Sequence, residues 1–190
     1  MKSMKYVRQG TVVLFAVMSL SVYAGEEEHE YKGYVAVRGG VSLLEDTSAF
    51  DAEFDTGWLL GAAVGAKTKQ QAWMGGVEVE IMSQGNNIKD TQGTLLQDSV
   101  MFNGFVGARI GSVVTPYILA GAGGVFMLYD SPLGDETDSV FAYQLGLGID
   151  FSLGEKMELD LGYRFYNADA AFEGVNVKGD RFFVGFSYAF

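Results

Sequence analysis

The sequence is poor in the residues that carry most enzyme and metal chemistry. Its 190 residues include no cysteine, a single histidine (His29) and two prolines. Without cysteine there are no disulfides, thiolate metal sites or cysteine nucleophiles. Basic residues are also few, since 13 Lys and Arg stand against 24 Asp and Glu and give a formal net charge of −11. This balance argues against a nucleic-acid-binding protein, which needs a basic surface to neutralise phosphates.

Glycine and aromatic residues are abundant instead. There are 26 Gly, 14 Phe and 10 Tyr, and 48% of the residues are hydrophobic. A chain this hydrophobic is not intrinsically disordered, and glycine and aromatic residues are poor or mediocre helix formers. The longest weakly polar stretch, 117–129, is broken by glycines and is too short to cross a bilayer as a helix. The composition therefore indicates β-strands.

The N-terminal residues have the pattern of a bacterial secretory signal peptide. The first ten residues carry three basic residues and no acidic one, and an apolar run, Val12–Ala24, follows. The run is shorter than the ~20 residues that a membrane-spanning helix needs, which favours cleavage over a membrane anchor. Val22 and Ala24 suit positions −3 and −1 of a signal-peptidase site. We predict a cleaved signal peptide at 1–24 and one mature domain at 25–190.

The mature chain alternates between apolar and polar residues with a period of two, which is the signal of strands with two different faces. In segment 157–167, for example, Leu159 and Leu161 lie on either side of Asp160. Segment 116–129 is apolar in both phases, so the pattern does not assign its faces. The candidate strands are 31–44, 54–67, 73–83, 99–110, 116–129, 139–151, 157–167 and 181–190.

The connections alternate between long and short, as in an up-and-down barrel with loops at one rim and tight turns at the other. We predict an all-β fold, an eight-stranded antiparallel up-and-down transmembrane β-barrel whose polar interior is filled with side chains. The long loops are acidic and face the cell surface, where they could meet a host or surface ligand. The long connections are 45–53, 84–98, 130–138 and 168–176, and the short ones are 68–72, 111–115 and 152–156.

Alternation alone does not separate a membrane barrel from a soluble, lipocalin-like barrel with the opposite faces. The polar phase mixes both signs of charge with Gly and Ala, which fits a narrow lumen in which opposite charges compensate. The apolar phase places aromatic residues near strand ends, as interfacial girdles do. The predicted interior charge network contains Arg38, Glu78, Glu80, Arg109, Glu158, Asp160, Arg164 and Arg181. The predicted interfacial aromatic residues are Trp58, Trp73, Tyr117, Phe151 and Phe182.

The C-terminal residues carry a resemblance to a known family. The chain ends on Phe186, Tyr188 and Phe190 in the apolar phase, and a Pro-Tyr-x-x-x-Gly-x-Gly pattern begins at Pro116. With the signal peptide and the alternating segments, these features resemble the small outer-membrane β-barrel proteins, the OmpA-barrel and OmpX-like group also called the porin family. The resemblance implies a monomer in the lipid of the bacterial outer membrane. It also implies that the three terminal aromatic residues are the signal for the barrel-assembly machinery.

Few residues of the sequence are candidates for catalysis or metal binding, and we predict no catalytic residue, metal site or cofactor. Glu78 and Glu80 lie two residues apart and enter the same lumen, as do Glu158 and Asp160. Because arginines lie on the same phase, we interpret these carboxylates as part of a structural ion network rather than as an acid–base pair. His29 lies in an acidic tail rather than in the barrel, which opposes catalysis by imidazole.

Three functions are therefore weighed for the barrel. We favour a non-enzymatic surface scaffold that serves envelope integrity or adhesion through its loops. The first alternative is a narrow porin-like channel, although the interior of eight strands is just wide enough for side chains to fill. The second alternative is a lipid-modifying barrel enzyme, which the lack of a histidine in the predicted barrel disfavours.

Overall fold

The computed structural model describes residues 31–45, 53–89, 93–131, 134–170 and 175–190, so the predicted signal peptide and His29 lie outside it. Eight strands pair in sequence order and close into an antiparallel barrel, which confirms the predicted fold class. No helix in these ranges is long and apolar enough to cross a membrane. The strands are β1 (Tyr31–Leu44), β2 (Gly57–Lys69), β3 (Trp73–Asn87), β4 (Thr94–Ala108), β5 (Val114–Ser131), β6 (Gly134–Ser152), β7 (Met157–Ala170) and β8 (Val175–Ala189).

The barrel closes with a stagger that tilts its strands. Val35 pairs with Tyr188 across the β1–β8 seam. Following the registered pairs from Val35 the other way round, through β2 to β7, leads to Lys178 instead, ten residues away on β8. This shear over eight strands corresponds to a tilt of about 40° and an interior filled by side chains.

The two rims of the barrel differ in their connections. Short turns at 70–72, 109–113 and 153–156 join the strands at one rim, which we call the turn rim. Phe190 lies at this rim and donates its backbone N–H to the Gly33 oxygen at 2.9 Å. The opposite rim, the loop rim, carries the remaining connections. This alternation of rims is the up-and-down arrangement that the sequence predicts.

The strands are apolar outside and polar inside. On the outside, Phe102 and Ile118 keep 66% and 64% of their surface exposed. On the inside, Arg164 and Gln144 are fully buried. Apolar residues can face outward in this number only if hydrocarbon rather than water surrounds them, which is the membrane form of the barrel and the reverse of a soluble one.

Strands β3 to β8 run further toward the loop rim than the sequence predicts, whereas β2 begins at Gly57, three residues after the predicted start at 54. The predicted loops 84–98, 130–138 and 168–176 are wrong in their bounds, because β3 continues to Asn87, β6 already begins at Gly134 and β7 continues to Ala170. Polar residues in these segments remain part of the strands, because backbone hydrogen bonds between neighbouring strands form whatever the side chains are. An apolar outer face is needed only where the barrel contacts lipid. The connections that remain at this rim are 45–56, 88–93, 132–133 and 171–174.

Each hairpin joined at the loop rim contains an inward aromatic ring that packs on the glycine opposite it. In every case the two residues are direct partners in the register, and the ring occupies the space that a Cβ on the glycine would need. The contact therefore fixes both the ring and the pairing of the two strands. The four pairs are Tyr34 with Gly65, Phe105 with Gly76, Tyr117 with Gly148 and Phe183 with Gly162.

The interior is layered along the barrel axis. Toward the loop rim it holds an apolar cluster, against which Phe54 from the β1–β2 connection packs. Below this cluster the interior is dominated by charged and amide side chains. The lumen is therefore closed by apolar packing at one level and by polar contacts at another. The apolar cluster consists of Leu44, Leu95, Met101, Val125, Met127, Ala142, Tyr166, Ala168 and Val177.

Candidate functional site

Arg38 on β1 is the centre of the interior charge network. Its Nη1 and Nη2 lie 2.9 and 2.8 Å from the two carboxylate oxygens of Glu78, a bidentate pair. Nη1 also donates to Glu80, and Nε lies 3.6 Å from Asp160 Oδ2. All four side chains are buried. Since the two glutamates follow each other by two positions on β3, one guanidinium can reach both.

Neutral side chains complete the bonding of these carboxylates. Tyr34 donates its hydroxyl to Glu78 Oε2 at 2.6 Å, and Asn103 donates to Glu78 Oε1 at 3.0 Å. Gln144 donates to Glu80 Oε1 at 3.0 Å and to the Asn103 side-chain oxygen at 2.8 Å. A buried ion pair is tolerated only when its remaining lone pairs are also satisfied. These contacts therefore make the network a packed unit rather than hydrated, independent charges.

Tyr117 joins this network, and its prediction as an interfacial aromatic residue is wrong. The side chain is buried in the lumen, and its hydroxyl donates to Asp160 Oδ1 at 2.7 Å. Arg164 Nη1 lies 3.5 Å from the same hydroxyl, and the Arg164 guanidinium lies over the Phe183 ring at 4.7 Å. The physical reason for the error is that β5 is apolar on both faces, so its periodicity does not say which phase points inward.

Arg164 and Arg181 are direct register partners on β7 and β8, and both are fully buried. Their guanidinium groups point in different directions, since Arg181 lies over the Tyr166 ring at 4.0 Å and donates to Gln84 Oε1 at 2.6 Å. In the part of the chain that the structure describes, neither arginine forms an ion pair with a carboxylate. Aromatic faces and an amide therefore take the place of counter-charges for Arg181.

A second ion cluster lies at the turn rim, around Glu158. Lys67 and Lys69 on β2 both donate to its carboxylate. Lys67 also lies over the Tyr34 ring, 4.6 Å from its centroid. Neither lysine belongs to the predicted network, although Lys67 shares the inward phase with Gly65 and could have been found from that spacing.

Arg109 is the predicted network member that the structure places elsewhere. It follows the last residue of β4, donates from Nη1 to the Gln70 carbonyl at 2.7 Å and donates its backbone N–H to Ala72. The prediction is wrong because alternation assigns a face but not the residue at which the strand ends. Arg109 therefore joins two neighbouring turns instead of entering the lumen.

The remaining predicted aromatic residues lie on the outer face. Trp58, Trp73 and Phe182 are each about half exposed, and Phe151 on the same outward phase is partly buried. The three terminal aromatic residues also face outward. Phe186 and Tyr188 belong to β8, and Phe190 follows it at the turn rim. The terminal set thus presents one aromatic face to lipid.

The lumen has little room for a substrate. Between the Arg38 network and the turn rim there is a cavity of about 30 Å³ lined by Tyr34, Lys67, Asp150 and Asp160, among others. A water molecule needs about 10–15 Å³ of such space, so the cavity has room for about two waters. No group of three or more His, Asp or Glu in the described ranges is placed to hold a metal ion. Charged, amide and aromatic side chains fill most of the described interior around this cavity.

A second feature lies at the loop rim, where β5 and β6, the two longest strands of the barrel, continue beside β3 and β4. The apolar outer face is interrupted at Ser83 and Asp98, whose side chains hydrogen-bond at 2.5 Å and which stand in register with Phe126 and Ser139. Leu96 lies exposed beyond them on β4. Beyond this row, β5 continues to Ser131, roughly 15 Å at strand spacing. The four strands form a wall at the loop rim, which we call the outer wall.

A closed antiparallel barrel with a lipid-compatible outer face and a packed, charged lumen defines the class of outer-membrane β-barrels. The chain belongs to the outer membrane protein beta-barrel domain family, whose model matches residues 11–190. No curated protein matches the sequence closely enough to count as a relative.

Solved structures show the same fold at low sequence identity. Neisserial surface protein A is 13% identical with a TM-score of 0.61, over 83% of this chain and 97% of that one. Ail, the attachment invasion locus protein of Yersinia pestis, is 18% identical with a TM-score of 0.53, over 86% and 100% of the two chains. The N-terminal β-barrel domain of Pseudomonas aeruginosa OprF is 12% identical with a TM-score of 0.51, over 85% and 100%. These similarities concern the fold.

Proposed function

We propose that the protein is a non-enzymatic surface scaffold of the bacterial outer membrane whose outer wall binds partners in adhesion. The observation that carries this proposal is the extension of β3 to β6 past the row of Ser83, Asp98 and Ser139. Strands that only had to cross the apolar core would end near that row, since a transmembrane strand needs about 9–11 residues. β5 and β6 are 18 and 19 residues long, so both project beyond the membrane.

The interior supports a scaffold over the two alternatives. A channel needs a continuous water-filled path, whereas the apolar cluster around Leu95 and Met127 and the Arg38 network fill the lumen at two levels. A lipid-modifying enzyme needs a nucleophile with a base, and the described carboxylates near Arg38 are held in ion pairs. A static barrel that presents an outer wall fits these contacts better.

The acidic residues of the connections at the loop rim indicate which charge a binding partner would carry. Ail of Yersinia pestis has been solved with the heparin analogue sucrose octasulfate. In this chain, connection 45–53 contains four acidic residues and no basic one, and so does segment 130–138. Like charges across an interface are unfavourable, so a polysulfated ligand would be repelled here. The acidic surface favours a positively charged partner.

The same proposal includes the route to the membrane. We infer that residues 1–24 are removed on export and that the barrel-assembly machinery inserts residues 25–190 as a monomer. Outer-membrane lipid then contacts the apolar outer face, and Phe186, Tyr188 and Phe190 serve as the assembly signal. Support for this route comes from the apolar run Val12–Ala24 and from the outward aromatic face at the end of β8.

Shortening the outer wall tests the scaffold function. In one variant, an Asn-Gly turn replaces residues 128–137 and joins Met127 to Asp138, its register partner. In the control, the same dipeptide replaces residues 154–155 in the turn between β6 and β7 at the opposite rim. We expect both variants to fold, as shown by heat-dependent migration on SDS gels. Only the first should reduce the attachment of bacteria to cultured host cells, and equal attachment by wild type and the first variant would contradict the proposal.

A further inference from the structure

Arg181 on β8 is a fully buried cation whose two terminal nitrogens have no hydrogen-bond partner among the described residues. Its Nε donates to Gln84 Oε1 at 2.6 Å, and its Cζ lies 4.0 Å from the centroid of the Tyr166 ring. These two contacts compensate part of the charge, but they leave the donors on Nη1 and Nη2 unbonded. A buried charge with unbonded donors is costly unless a counter-charge and an acceptor meet it.

Arg181 lies beside a second cation rather than beside a carboxylate. Its register partner on β7 is Arg164, which is also fully buried and repels it. Glu80 attracts Arg181. The oxygens of Glu80, however, already accept from Arg38 Nη1 and from Gln144 Nε2. Within the described interior, the two neighbouring guanidinium groups of β7 and β8 therefore lack a counter-charge of their own.

The other unbonded groups beside Arg181 can also donate. Because arginine only donates, Gln84 presents its oxygen to Arg181 and its NH₂ group to the Gln97 oxygen, at 3.0 Å. This direction leaves the NH₂ group of Gln97 as a donor without a partner in the described chain. The Tyr166 hydroxyl has none there either, and both side chains are fully buried. A positive charge surrounded by such donors is suited to an anion.

Packing on both sides limits the size of an anion at Arg181. Its register partner on β1 is Ser42, which lies between Arg38 and Leu44. Toward the loop rim, Leu44 and Tyr166 belong to the apolar cluster, and in the other direction the Arg38 network fills the lumen. The interior of eight strands is just wide enough for side chains, so a large organic anion has no room here. A halide is small and brings the missing charge, whereas water accepts hydrogen bonds without supplying a charge.

We propose that Arg181 binds one small halide ion, chloride in a natural medium, inside the lumen. The ion accepts from Nη1 and Nη2 of Arg181, and the Gln97 amide and the Tyr166 hydroxyl are the neighbouring unbonded donors. Its negative charge compensates the two adjacent arginines of β7 and β8. Because the apolar cluster closes the lumen on the loop-rim side, the ion is enclosed as the barrel folds. It stabilises the folded state, since the unfolded chain has no such site.

Bromide, which replaces chloride and scatters anomalously, tests the position of the ion. The full mature barrel is refolded in detergent and crystallised in sodium bromide, and diffraction data are collected at the bromine absorption edge. We expect one anomalous peak inside the lumen, in contact with Nη1 and Nη2 of Arg181. A lumen without an anomalous peak, with only water molecules at Arg181, would overturn the proposal.

Urea unfolding in micelles tests the binding energetically, with sodium chloride exchanged for sodium gluconate at constant ionic strength. Once chloride exceeds its Kd, the ratio of folded to unfolded wild type should rise about tenfold for each tenfold increase in chloride, because unfolding releases one ion. Arg181→Gln should abolish this dependence. Arg109→Gln, the same substitution at an arginine that bonds the Gln70 carbonyl in a turn, should keep it.

Two outcomes of the urea experiment would contradict the chloride site. Equal wild-type stability in chloride and in gluconate would overturn the binding of an ion, and this comparison needs no variant, so it decides even if Arg181→Gln does not fold. A chloride dependence that persists in folded Arg181→Gln would overturn Arg181 as the site. Neither outcome affects the proposed scaffold function, which is measured by attachment to host cells.

Discussion

Arg38 illustrates how single residues hold the lumen together. It donates to Glu78 and Glu80, and Asp160 lies 3.6 Å away. Removal of one partner from a buried ion pair leaves a charge without compensation, which is costlier than replacing both partners by apolar groups. Because several carboxylates depend on this one guanidinium, Arg38 should matter more to stability than any single carboxylate.

We predict that Glu80→Leu destabilises the barrel by about 3 kcal/mol and Arg38→Leu by somewhat more, about 3–5 kcal/mol. The double variant should recover part of the summed loss, because the two groups are coupled. Urea unfolding in detergent micelles, followed by tryptophan fluorescence, measures all three free energies of unfolding.

The control for this cycle is the surface pair of Lys89 and Glu53, which are 3.2 Å apart and well exposed. Glu53→Leu should change the free energy of unfolding by less than about 1 kcal/mol. Strictly additive losses for Arg38 and Glu80 would show that the two charges are not coupled. No loss in either single variant would show a wet lumen in which each charge is hydrated on its own.

Among the elements, the hairpins joined at the loop rim share one device, an inward ring over a glycine on the partner strand. In the β5–β6 hairpin, a Cβ on Gly148 would lie 2.5 Å from Tyr117 Cζ and from its hydroxyl oxygen. The ring cannot move aside freely, because the hydroxyl donates to Asp160 at 2.7 Å. The pair therefore helps to fix the register between β6 and β5, a strand that is apolar on both faces.

We predict that Gly148→Ala destabilises the barrel by about 1–3 kcal/mol, as overpacking of a filled interior does. Gly104→Ala is the matched control, since nothing lies within 4 Å of its Cβ position on the outer face. The control should be neutral or slightly stabilising, because alanine loses less backbone entropy than glycine. Equal urea midpoints for the two variants would show that the ring adapts and that the pair does not set the register.

The strands also show what the sequence could and could not predict. β1 has the predicted bounds, Tyr31–Leu44, because its alternation ends where the connection begins. The outer ends of β3 and β6 were missed, because polar residues such as those in 84–87 look like a loop when only the membrane-crossing pattern is considered. Tyr117 and Arg109 were misplaced for related reasons, since alternation defines neither the inward phase of an apolar strand nor its end.

The predicted interior set was nevertheless largely brought together. Arg38, Glu78 and Glu80 meet although more than 40 residues separate Arg38 from Glu80. Period-two spacing places inward residues in a common lumen, and a lumen this narrow forces them into contact. Sequence spacing does not give the register between strands. Specific contacts, such as Gln144 with Glu80 or Lys67 with Glu158, could therefore be identified only from the structure.

At the scale of the whole molecule, the last residues lie at the seam that closes the barrel. Phe190 follows β8 at the turn rim, is 67% exposed and bonds through its backbone to Gly33 at the start of the β1–β8 seam. We predict that deletion of Phe190 slows insertion and leaves unfolded precursor in the periplasm. Cell fractionation with heat-dependent migration measures this, and Phe190→Tyr, which keeps an aromatic end, is the control. Normal outer-membrane levels after the deletion would show that the terminal aromatic residue is not the assembly signal.

The whole lumen carries the last prediction, which concerns permeation. An ion that crosses the barrel must pass the apolar cluster around Leu95, Val125 and Met127, whose side chains cannot replace its hydration shell. It must then displace the bidentate pair of Arg38 and Glu78, both of them buried. The first step strips water from the ion and the second breaks a buried ion pair, and both are unfavourable. The ion must pass both barriers in turn, because they lie along the same barrel axis. We therefore expect the folded monomer to give no stepwise conductance in planar bilayers. Shortening the outer wall should not change this, since the wall lies beyond both barriers. Regular conductance steps from heat-modifiable, monomeric protein would show instead that the Arg38 network opens and that the barrel works as a narrow pore.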